Sequence, residues 1–391
     1  MVSAEHFRYG RSNMCNMCKN ISKNTSEKTS LLEEERATGR KQEQMTGRIP
    51  IQCIIPEHML KEIAKKGNPE QRDMALKTLL MSEKIRGRRE AFAEVYVAMP
   101  TGAKCIRIYD AKNGLDLPGE EVSEPENSSD VAVKEAYDGA NATYDMYLDA
   151  FERNSIDDKG MCLLSSVHFD EKYDNAFWDG RQMVYGDGDG ELFNRFTASI
   201  DVIGHELTHG VTEYEAGLVY YDQPGALNES MSDVFGSLVK QRVLNQTAEE
   251  ADWLIGEGLF TSNVNGKALR SMKEPGTAYD DPVLGKDPQP GHMRDYKRLP
   301  RREDNGGVHI NSGIPNHAFY LTAVEIGGHA WEKAGKIWYI ALRDSLRYNS
   351  GFQAAANRTF QIAGVLFGTG SDEQNAVKKG WTGVGITPKA R

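Results

Sequence analysis

The stretch from His205 to His209 limits what this chain can fold into more than any other part of its sequence. It reads His-Glu-Leu-Thr-His, so two imidazoles stand four residues apart with the carboxylate of Glu206 beside the first. On a helix, residues four apart lie on the same face, and both rings can then reach one metal ion. The run from Ser199 to Gly204 before the motif is typical of a helix that packs through the centre of a domain. The pattern indicates a zinc hydrolase, with two surface histidines on a polar helix as the alternative.

A segment downstream offers a third metal ligand. Within Gly225–Asp233, the acids Glu229 and Asp233 lie four residues apart on a second predicted helix. Zinc in a hydrolytic site takes three protein ligands and leaves one position for water, so Glu229 would complete the set. A ligating histidine usually donates its other ring nitrogen to a carboxylate, and Asp233 is placed one turn further on to accept it. The alternative is a solvated acidic helix face.

Further motifs occur in a fixed order along the chain and resemble the thermolysin family of zinc endopeptidases. The resemblance runs from about Tyr96 to the C-terminus. The segment Ile51–Leu60 is also similar to the compact propeptide of the protealysin subgroup, with Glu57 where a second proline is common. The motifs are Asn175–Trp178, Tyr185–Gly190, His205–His209, Gly225–Asp233, Leu269–Met272 and Asp304–Gly313.

The local patterns and this resemblance together predict an α+β fold with two lobes. A mixed α/β N-terminal lobe and an all-α C-terminal lobe are joined by the zinc-binding helix, after a small helical propeptide. Helical spacing covers Glu57–Lys66 and Pro69–Ile85, with the break at Gly67-Asn68, and a long helix is predicted over Asp130–Asn154. The predicted divisions are a disordered polar tail (1–45), the propeptide (46–92), the N-terminal lobe with the zinc-binding helix (93–212) and the C-terminal lobe (213–391).

The resemblance assigns catalytic roles to four residues. Glu206 is expected to be the general base that takes a proton from water and later passes it to the leaving amine. His309 and Tyr220 correspond to the family's donors to the developing oxyanion, and Asp304 to the acid that orients the histidine. A core position beside a Gly-Gly turn is the alternative for His309, and a core aromatic is the alternative for Tyr220.

Substrate-binding residues follow from the same resemblance. An extended peptide can add as a strand to an exposed sheet edge. Asn175, Ala176 and Trp178 match the family's edge strand, and Arg270 matches the arginine that holds a substrate carbonyl. We also predict an apolar pocket for the residue after the cleaved bond, lined by Phe193, Val202, Ile255, Leu259 and Leu269. Ordinary core packing is the alternative for these five residues. We therefore expect a neutral endopeptidase that acts on peptides and proteins and cuts on the N-terminal side of bulky hydrophobic residues.

Two other functional classes share part of this pattern. A zinc aminopeptidase uses the same histidine and glutamate scheme, but it should carry a Gly-x-Met-Glu-Asn segment for the substrate amine, and the sequence has none. A non-catalytic, zinc-stabilised interaction protein has no need of a base, and the intact Glu206 argues against it.

The N-terminal segment is predicted to keep the enzyme latent as an intramolecular inhibitor. Ile54-Ile55-Pro56 resembles the subgroup's inhibitory motif, and its extended backbone suits the edge strand. A thiolate of Cys53 at the open zinc position is the alternative route to latency. The basic run Lys84–Glu90 is interpreted as a processing zone, with a solvated linker as the alternative.

Calcium ligands match the family only in part. Asp201, Asp252 and Glu257 correspond to calcium ligands, but Lys240 and Lys267 stand where acids are expected. Hard cation sites need several oxygens and tolerate no neighbouring positive charge, so we expect at most one calcium beside one zinc. The Asp187–Gly190 loop is expected to be a turn.

Composition limits the partners and the compartment. The net charge of −10 argues against nucleic acid, and no apolar run approaches membrane-spanning length. Met1–Gly10 lacks the apolar core of a signal peptide, so the expectation is a cytoplasmic protein, with leaderless secretion left open. We expect reduced cysteines without a functional role at Cys15, Cys18, Cys53, Cys105 and Cys162.

Overall fold

The structure is a computed structural model that describes residues 52–92 and 103–389. The predictions for the tail 1–45 and for Cys15 and Cys18 lie outside the described residues. Within the described ranges, no helix combines the length and the apolar character that crossing a membrane requires.

The elements follow one another in the order that the two-lobe prediction requires. The helices are α1 (Glu57–Lys66), α2 (Pro69–Phe92), α3 (Val131–Phe151), α4 (Ile200–Tyr214), α5 (Asp222–Leu244), α6 (Asp304–Asn311), α7 (Gly313–Ile326), α8 (Ala334–Ile340), α9 (Phe352–Phe367) and α10 (Asp372–Gly383). The strands are β1 (Gln52–Cys53), β2 (Ile106–Asp110), β3 (Glu120–Glu121), β4 (Leu163–Val167), β5 (Ala176–Trp178), β6 (Met183–Tyr185), β7 (Leu254–Ile255), β8 (Arg270–Ser271), β9 (Asp280–Asp281) and β10 (Gly285–Lys286).

The main sheet is mixed, as predicted for the N-terminal lobe. Its strands lie in the order β1-β5-β6-β4-β2-β3. Strands β2, β4 and β6 are parallel, whereas β3, β5 and β1 each pair antiparallel with their neighbour. The strand β1 comes from the predicted propeptide and covers the edge that β5 would otherwise expose. After α5 the chain is mainly helical, so the α+β, two-lobe prediction is confirmed.

Close approach of two helix backbones brings the motifs of α4 and α5 together. A Cβ atom added at Gly204 would lie 3.0 Å from Cα of Gly236, and one added at Gly236 would overlap the carbonyl oxygen of Asp201. A side chain therefore does not fit at Gly236, and one at Gly204 would push the two backbones apart. Because the backbones approach so closely there, His205 on α4 and Asp233 on α5 reach each other.

Several helices begin and end at the residues where the sequence places a cap or a break. Helix α1 ends before Gly67-Asn68, and the Asn68 side chain accepts a hydrogen bond from the Gln71 N–H at 2.9 Å. Asp130 caps α3 by accepting from the next turn. Helix α8 spans Ala334–Ile340 and passes into a π-helical turn over Ala341–Ser345.

A disulfide joins Cys105 to Cys162, so the prediction of reduced thiols is wrong for these two residues. Each precedes one of two adjacent parallel strands, and Ile106 pairs with Leu163. Parallel neighbours begin at the same edge of a sheet, which places the residues just before them side by side. Cys53 is buried and takes no part in this bond.

Candidate metal centre and cleft

His205 and His209 from α4 meet Glu229 from α5 at one fully buried point. The two Nε2 atoms lie 3.0 Å apart, and Glu229 carboxylate oxygens lie 3.5 Å from His205 Nε2 and 3.4 Å from His209 Nε2. Ligands at about 2.1 Å from a tetrahedral zinc ion are about 3.4 Å from one another. Within residues 52–92 and 103–389, this is the group of three His, Cys, Asp or Glu side chains close enough to hold a metal ion.

The donor set fits zinc on chemical grounds as well. Two imidazole nitrogens and one carboxylate are ligands that zinc prefers in hydrolytic sites. Oε2 of Glu229 is buried and has no hydrogen-bond partner among the described residues, which is costly for a carboxylate unless a cation satisfies it.

Each of these two histidines is oriented through its other ring nitrogen. Nδ1 of His205 lies 2.8 Å from Oδ1 of Asp233, as the spacing predicted. Nδ1 of His209 lies 2.9 Å from both Asn228 Oδ1 and Ser232 Oγ. These contacts direct both Nε2 atoms to the metal position. Sequence reasoning missed Asn228 and Ser232, although both flank Glu229 on α5 and their helix face was the available signal.

Asp233 also ties the centre to the cleft wall. Its carboxylate accepts two hydrogen bonds from Arg270, at 2.8 and 2.9 Å, and one from Asn316 at 2.8 Å. Burial alone would raise the pKa of Asp233, but the charge of Arg270 and the hydrogen bonds from His205 and Arg270 hold it below its usual value. The acid is therefore ionised.

Glu206 is fully buried beside the metal position. Its Oε2 accepts a hydrogen bond from the Trp178 backbone N–H at 3.1 Å, whereas Oε1 has no partner among the described residues. Burial, and then the charge of Glu229, raise the pKa of Glu206 well above its usual value. A carboxylate held by one oxygen and open at the other can accept a proton and give it back.

A second group of polar side chains faces the same point from the C-terminal lobe. Nε2 of His309 lies 3.0 Å from the Tyr220 hydroxyl and 3.6 Å from Glu229, and the Tyr220 hydroxyl also donates to Glu229. Residues Asp304 to Gly307 all have positive φ, and this left-handed turn folds the Asp304 carboxylate back onto Nδ1 and the backbone N–H of His309. Burial lowers the pKa of His309, but the charges of Glu229 and Asp304 outweigh it and raise the pKa to about 9.

The predicted substrate-binding residues contact the propeptide backbone. Ile54 N–H donates to the Ala176 carbonyl at 3.2 Å, and Ile55 N–H donates to Asn175 Oδ1 at 3.0 Å. Asn175 Nδ2 returns a bond to the Ile55 carbonyl at 3.4 Å, and Arg270 donates to the Ile54 carbonyl at 3.3 Å. Four hydrogen bonds with Asn175, Ala176 and Arg270 thus hold the extended backbone of Ile54 and Ile55.

The predicted pocket residues are all buried, and their cluster includes propeptide side chains. Ile54 is 0% exposed and Ile55 is 2% exposed. They belong to the same continuous apolar cluster as Phe193, Val202, Ile255, Leu259 and Leu269. Trp178, the other predicted edge residue, pairs with Gln52.

An ammonium group stands among the predicted calcium ligands. Nζ of Lys240 lies 2.7 Å from Asp252, 3.1 Å from Glu257 and 3.7 Å from Asp201. These acids therefore already surround a cation, which does not fit a calcium ion at the same place. In the Asp187–Gly190 loop, Asp189 accepts from three following backbone N–H groups, so the loop is a turn as expected.

The position of Cys53 does not support a thiolate ligand. Its side chain packs in a separate apolar cluster with Phe169, Tyr173, Phe177 and Val184. What Cys53 presents to the cleft is its backbone carbonyl, which accepts from His309 Nε2 at 3.1 Å.

Two family models match this chain. The model for the thermolysin metallopeptidase catalytic domain matches residues 90–213, and the model for the thermolysin metallopeptidase alpha-helical domain matches residues 216–386.

Individual proteins are similar over most of the chain. An extracellular metalloprotease of Pectobacterium carotovorum subsp. carotovorum is 50% identical over 341 residues, covering 86% of this chain and 97% of that protein. An extracellular minor metalloprotease of Serratia marcescens is 41% identical, covering 72% of this chain and 80% of its own length. The solved precursor of protealysin, a metalloproteinase from Serratia proteamaculans, has a TM-score of 0.78 and 54% identity, and the match covers 86% of this chain and 100% of that one.

The expectation of a cytoplasmic protein is wrong. Two of these relatives are named as extracellular enzymes, which points to secretion. The Cys105–Cys162 disulfide agrees, because disulfides form and persist mainly in oxidising compartments.

Proposed function

Since this chain belongs to the thermolysin metallopeptidase family and is a zinc endopeptidase, we propose that His205, His209 and Glu229 hold its zinc ion. Zinc bound there supplies a Lewis acid and lowers the pKa of water toward neutrality. The observation that carries the proposal is the convergence of three buried ligand atoms beside Glu206, a carboxylate with one oxygen engaged and one open. Zinc is the one metal that the proposal requires, because Lys240 takes the place of a calcium ion.

Glu206 acts as the proton carrier of the reaction. It accepts a proton from the attacking water and transfers it to the amide nitrogen as the peptide bond breaks. The hydrogen bond from the Trp178 N–H holds one carboxylate oxygen in place, so the other faces the reacting atoms. Asp233 keeps the His205 ring oriented during these steps.

His309 and Tyr220 stabilise the charge that develops on the substrate carbonyl oxygen. Both donors converge from the C-terminal lobe, and Asp304 holds His309 through its Nδ1 so that Nε2 faces the cleft. Donors positioned before the reaction stabilise a developing oxyanion without reorganising. Support comes from the Cys53 carbonyl, which already accepts a hydrogen bond from His309 Nε2.

The substrates are peptides and proteins, bound as an added strand along β5. Asn175, Ala176 and Arg270 hold the substrate backbone, as they hold the propeptide backbone. Val202 and Leu269 belong to the buried apolar cluster that takes the side chain after the cleaved bond. A charged side chain there would be buried without a partner, so bulky hydrophobic residues are favoured.

The full-length chain is latent because its own propeptide occupies the cleft. We assign residues 46–92 to the propeptide, 93–212 to the N-terminal lobe and 213–391 to the C-terminal lobe. The strand β1 pairs with β5, and Ile54 and Ile55 are buried in the apolar cluster of the pocket residues. A substrate needs the same hydrogen-bonding groups, so the two exclude each other.

An internally quenched peptide blocked at both ends tests this function. The processed wild-type enzyme should cleave it before Leu or Phe and lose activity when zinc is chelated. Release of single residues from an unblocked peptide, with the blocked peptide intact, would indicate an aminopeptidase instead. Inertness toward both peptides with zinc bound would indicate a non-catalytic protein and overturn the proposal.

A further inference from the structure

We propose that the Cys53–Ile54 peptide bond of the propeptide is bound as a scissile bond and that the enzyme cleaves it within the same chain. The inference rests on the proposed function and adds to it a specific intramolecular substrate. It predicts a processing event inside the inhibitory segment, distinct from a cut in the basic run Lys84–Glu90 that would separate propeptide from catalytic domain.

Contacts with β5 and Asn175 fix the register of the segment Gln52–Ile55 in the cleft. Cys53 pairs with Phe177 in the antiparallel β1–β5 ladder, and the ladder continues through Ile54 N–H to the Ala176 carbonyl. Asn175 then binds Ile55 through both its N–H and its carbonyl. A slip by one residue would turn every side chain to the opposite face and expel Ile54 from its buried position.

The carbonyl of this bond lies at the proposed oxyanion donors. The Cys53 carbonyl oxygen is 3.1 Å from His309 Nε2, and the same nitrogen lies 3.0 Å from the Tyr220 hydroxyl. His309 Nε2 is in turn 3.6 Å from Glu229, one of the proposed zinc ligands.

The amide nitrogen of the same bond faces the proposed proton carrier. The Ile54 N–H donates to the Ala176 carbonyl and lies near the Glu206 carboxylate, whose Oε1 has no hydrogen-bond partner among the described residues. The proton that a leaving amine needs would therefore come from the group already next to it.

The neighbouring Ile54–Ile55 bond is held differently. Its carbonyl oxygen accepts a hydrogen bond from Arg270, and its N–H donates to Asn175. Neither side chain takes up or releases a proton near neutral pH, so neither can protonate a leaving amine. The Cys53–Ile54 bond is thus the one with its oxygen at His309 and its nitrogen at Glu206. The side chain after it, Ile54, is apolar and fully buried, which matches the proposed selectivity.

The reaction needs only water as a co-reactant. Water oxygen adds to the Cys53 carbonyl carbon, Glu206 takes one proton and returns it to the Ile54 nitrogen, and the C–N bond breaks. The products are a carboxyl-terminated segment ending at Cys53 and a chain that begins with the amine of Ile54. Contacts of Asn175 with Ile55 keep the new amine near the centre.

Intact mass spectrometry of the purified full-length zinc protein tests the inference. The expected product is residues 54–391, formed at a rate that does not change over a 100-fold dilution because the reaction is intramolecular. Glu206→Gln should lower this rate by at least about 100-fold. Lys65→Ala is the matched control, since Lys65 is exposed on α1 and touches neither atom of the bond, and its rate should stay within about twofold of wild type.

Three results would overturn the inference. They are a full-length chain that stays intact at Cys53–Ile54, a cut at a neighbouring bond, and a rate that rises in proportion to protein concentration. The blocked quenched peptide is assayed separately with a variant that carries Ile54→Asp and Ile55→Asp, whose propeptide cannot stay buried in the apolar cluster. If this variant cleaves the peptide while 54–391 never forms from the wild-type chain, the inference fails and the proposed function stands; if the variant is inert with zinc bound, the proposed function fails as well.

Discussion

Arg270 is bound to Asp233 by two hydrogen bonds, from Nε at 2.9 Å and from Nη2 at 2.8 Å. The same carboxylate accepts from the metal ligand His205, and the same guanidinium donates to the Ile54 carbonyl of the propeptide. One buried ion pair therefore connects the metal centre with the segment that covers it. Substitutions in this pair should affect metal binding and latency together.

Asp233→Asn should weaken zinc binding by about 10- to 100-fold, because the His205 ring loses its anionic partner. Competition with a chelator measures the affinity. Asp149→Asn provides a control, since Asp149 is exposed on α3 and pairs with Arg242. Unchanged zinc affinity in Asp233→Asn would contradict the role that we assign to this acid.

Glu206→Gln should retain zinc and lose about 10²- to 10⁴-fold in peptidase activity, because the amide cannot carry the proton. Zinc content by elemental analysis and hydrolysis of the quenched peptide are measured on the same sample. Glu213→Gln, an exposed position on the same helix, is the control. Near-normal turnover of Glu206→Gln with zinc bound would refute the assignment.

Replacing both Ile54 and Ile55 with Asp should activate the uncleaved precursor, because two charges cannot enter the apolar cluster without partners. Cys53→Ser should leave the precursor latent, since Cys53 meets the cleft with its backbone carbonyl. Activity is measured before any cleavage is detectable by mass. Activation by Cys53→Ser alone would favour thiolate ligation over occupation of the cleft.

Lys240→Ala should lower the free energy of unfolding by about 3 kcal/mol, because Asp201, Asp252 and Glu257 would lose their shared cation. Added calcium should restore part of the loss in this variant and change wild type little. Urea denaturation with and without calcium, in a Glu206→Gln background that prevents autolysis, provides the measurement. Stabilisation of wild type by calcium to the same extent would show a calcium site elsewhere.

Acidification should loosen the docked propeptide through His58. Both of its ring nitrogens are buried without hydrogen-bond partners among the described residues. Burial lowers the pKa of His58 to about 4; the charges of Asp304 and Glu62 oppose this effect, whereas those of His309 and Arg270 add to it. In the released segment the pKa of His58 is about 6.5. Docking is therefore fully favourable above that pH and weakens as the pH falls toward 4.

Hydrogen exchange of residues 52–60 measures this release in the Glu206→Gln protein. Between pH 7 and pH 4.5, protection should fall in the His58 protein and fall much less in His58→Phe, which cannot take up a proton. Comparison of the two proteins at the same pH and zinc content isolates the contribution of His58. Equal loss of protection in the two proteins would exclude His58 as the acid-sensitive group.

The sequence alone determined the features that depend on neighbours along the chain. His205 and His209 share a face because a helix repeats every 3.6 residues, and Gly67-Asn68 separates α1 from α2 through local backbone preferences. The ordered motifs identified the family, and the family resemblance predicted the fold. Each of these signals lies within a few residues, where spacing and geometry are linked directly.

Only the tertiary structure decided which distant groups meet. The Cys105–Cys162 bond depends on two strands being parallel neighbours, and the position of Lys240 among three acids depends on how α5 packs against the loop after it. The placement of Cys53–Ile54 between His309 and Glu206 depends on a strand register across more than 120 residues of chain. Such contacts leave no periodic trace in the sequence, because a residue's local pattern is the same whichever distant partner the fold brings to it.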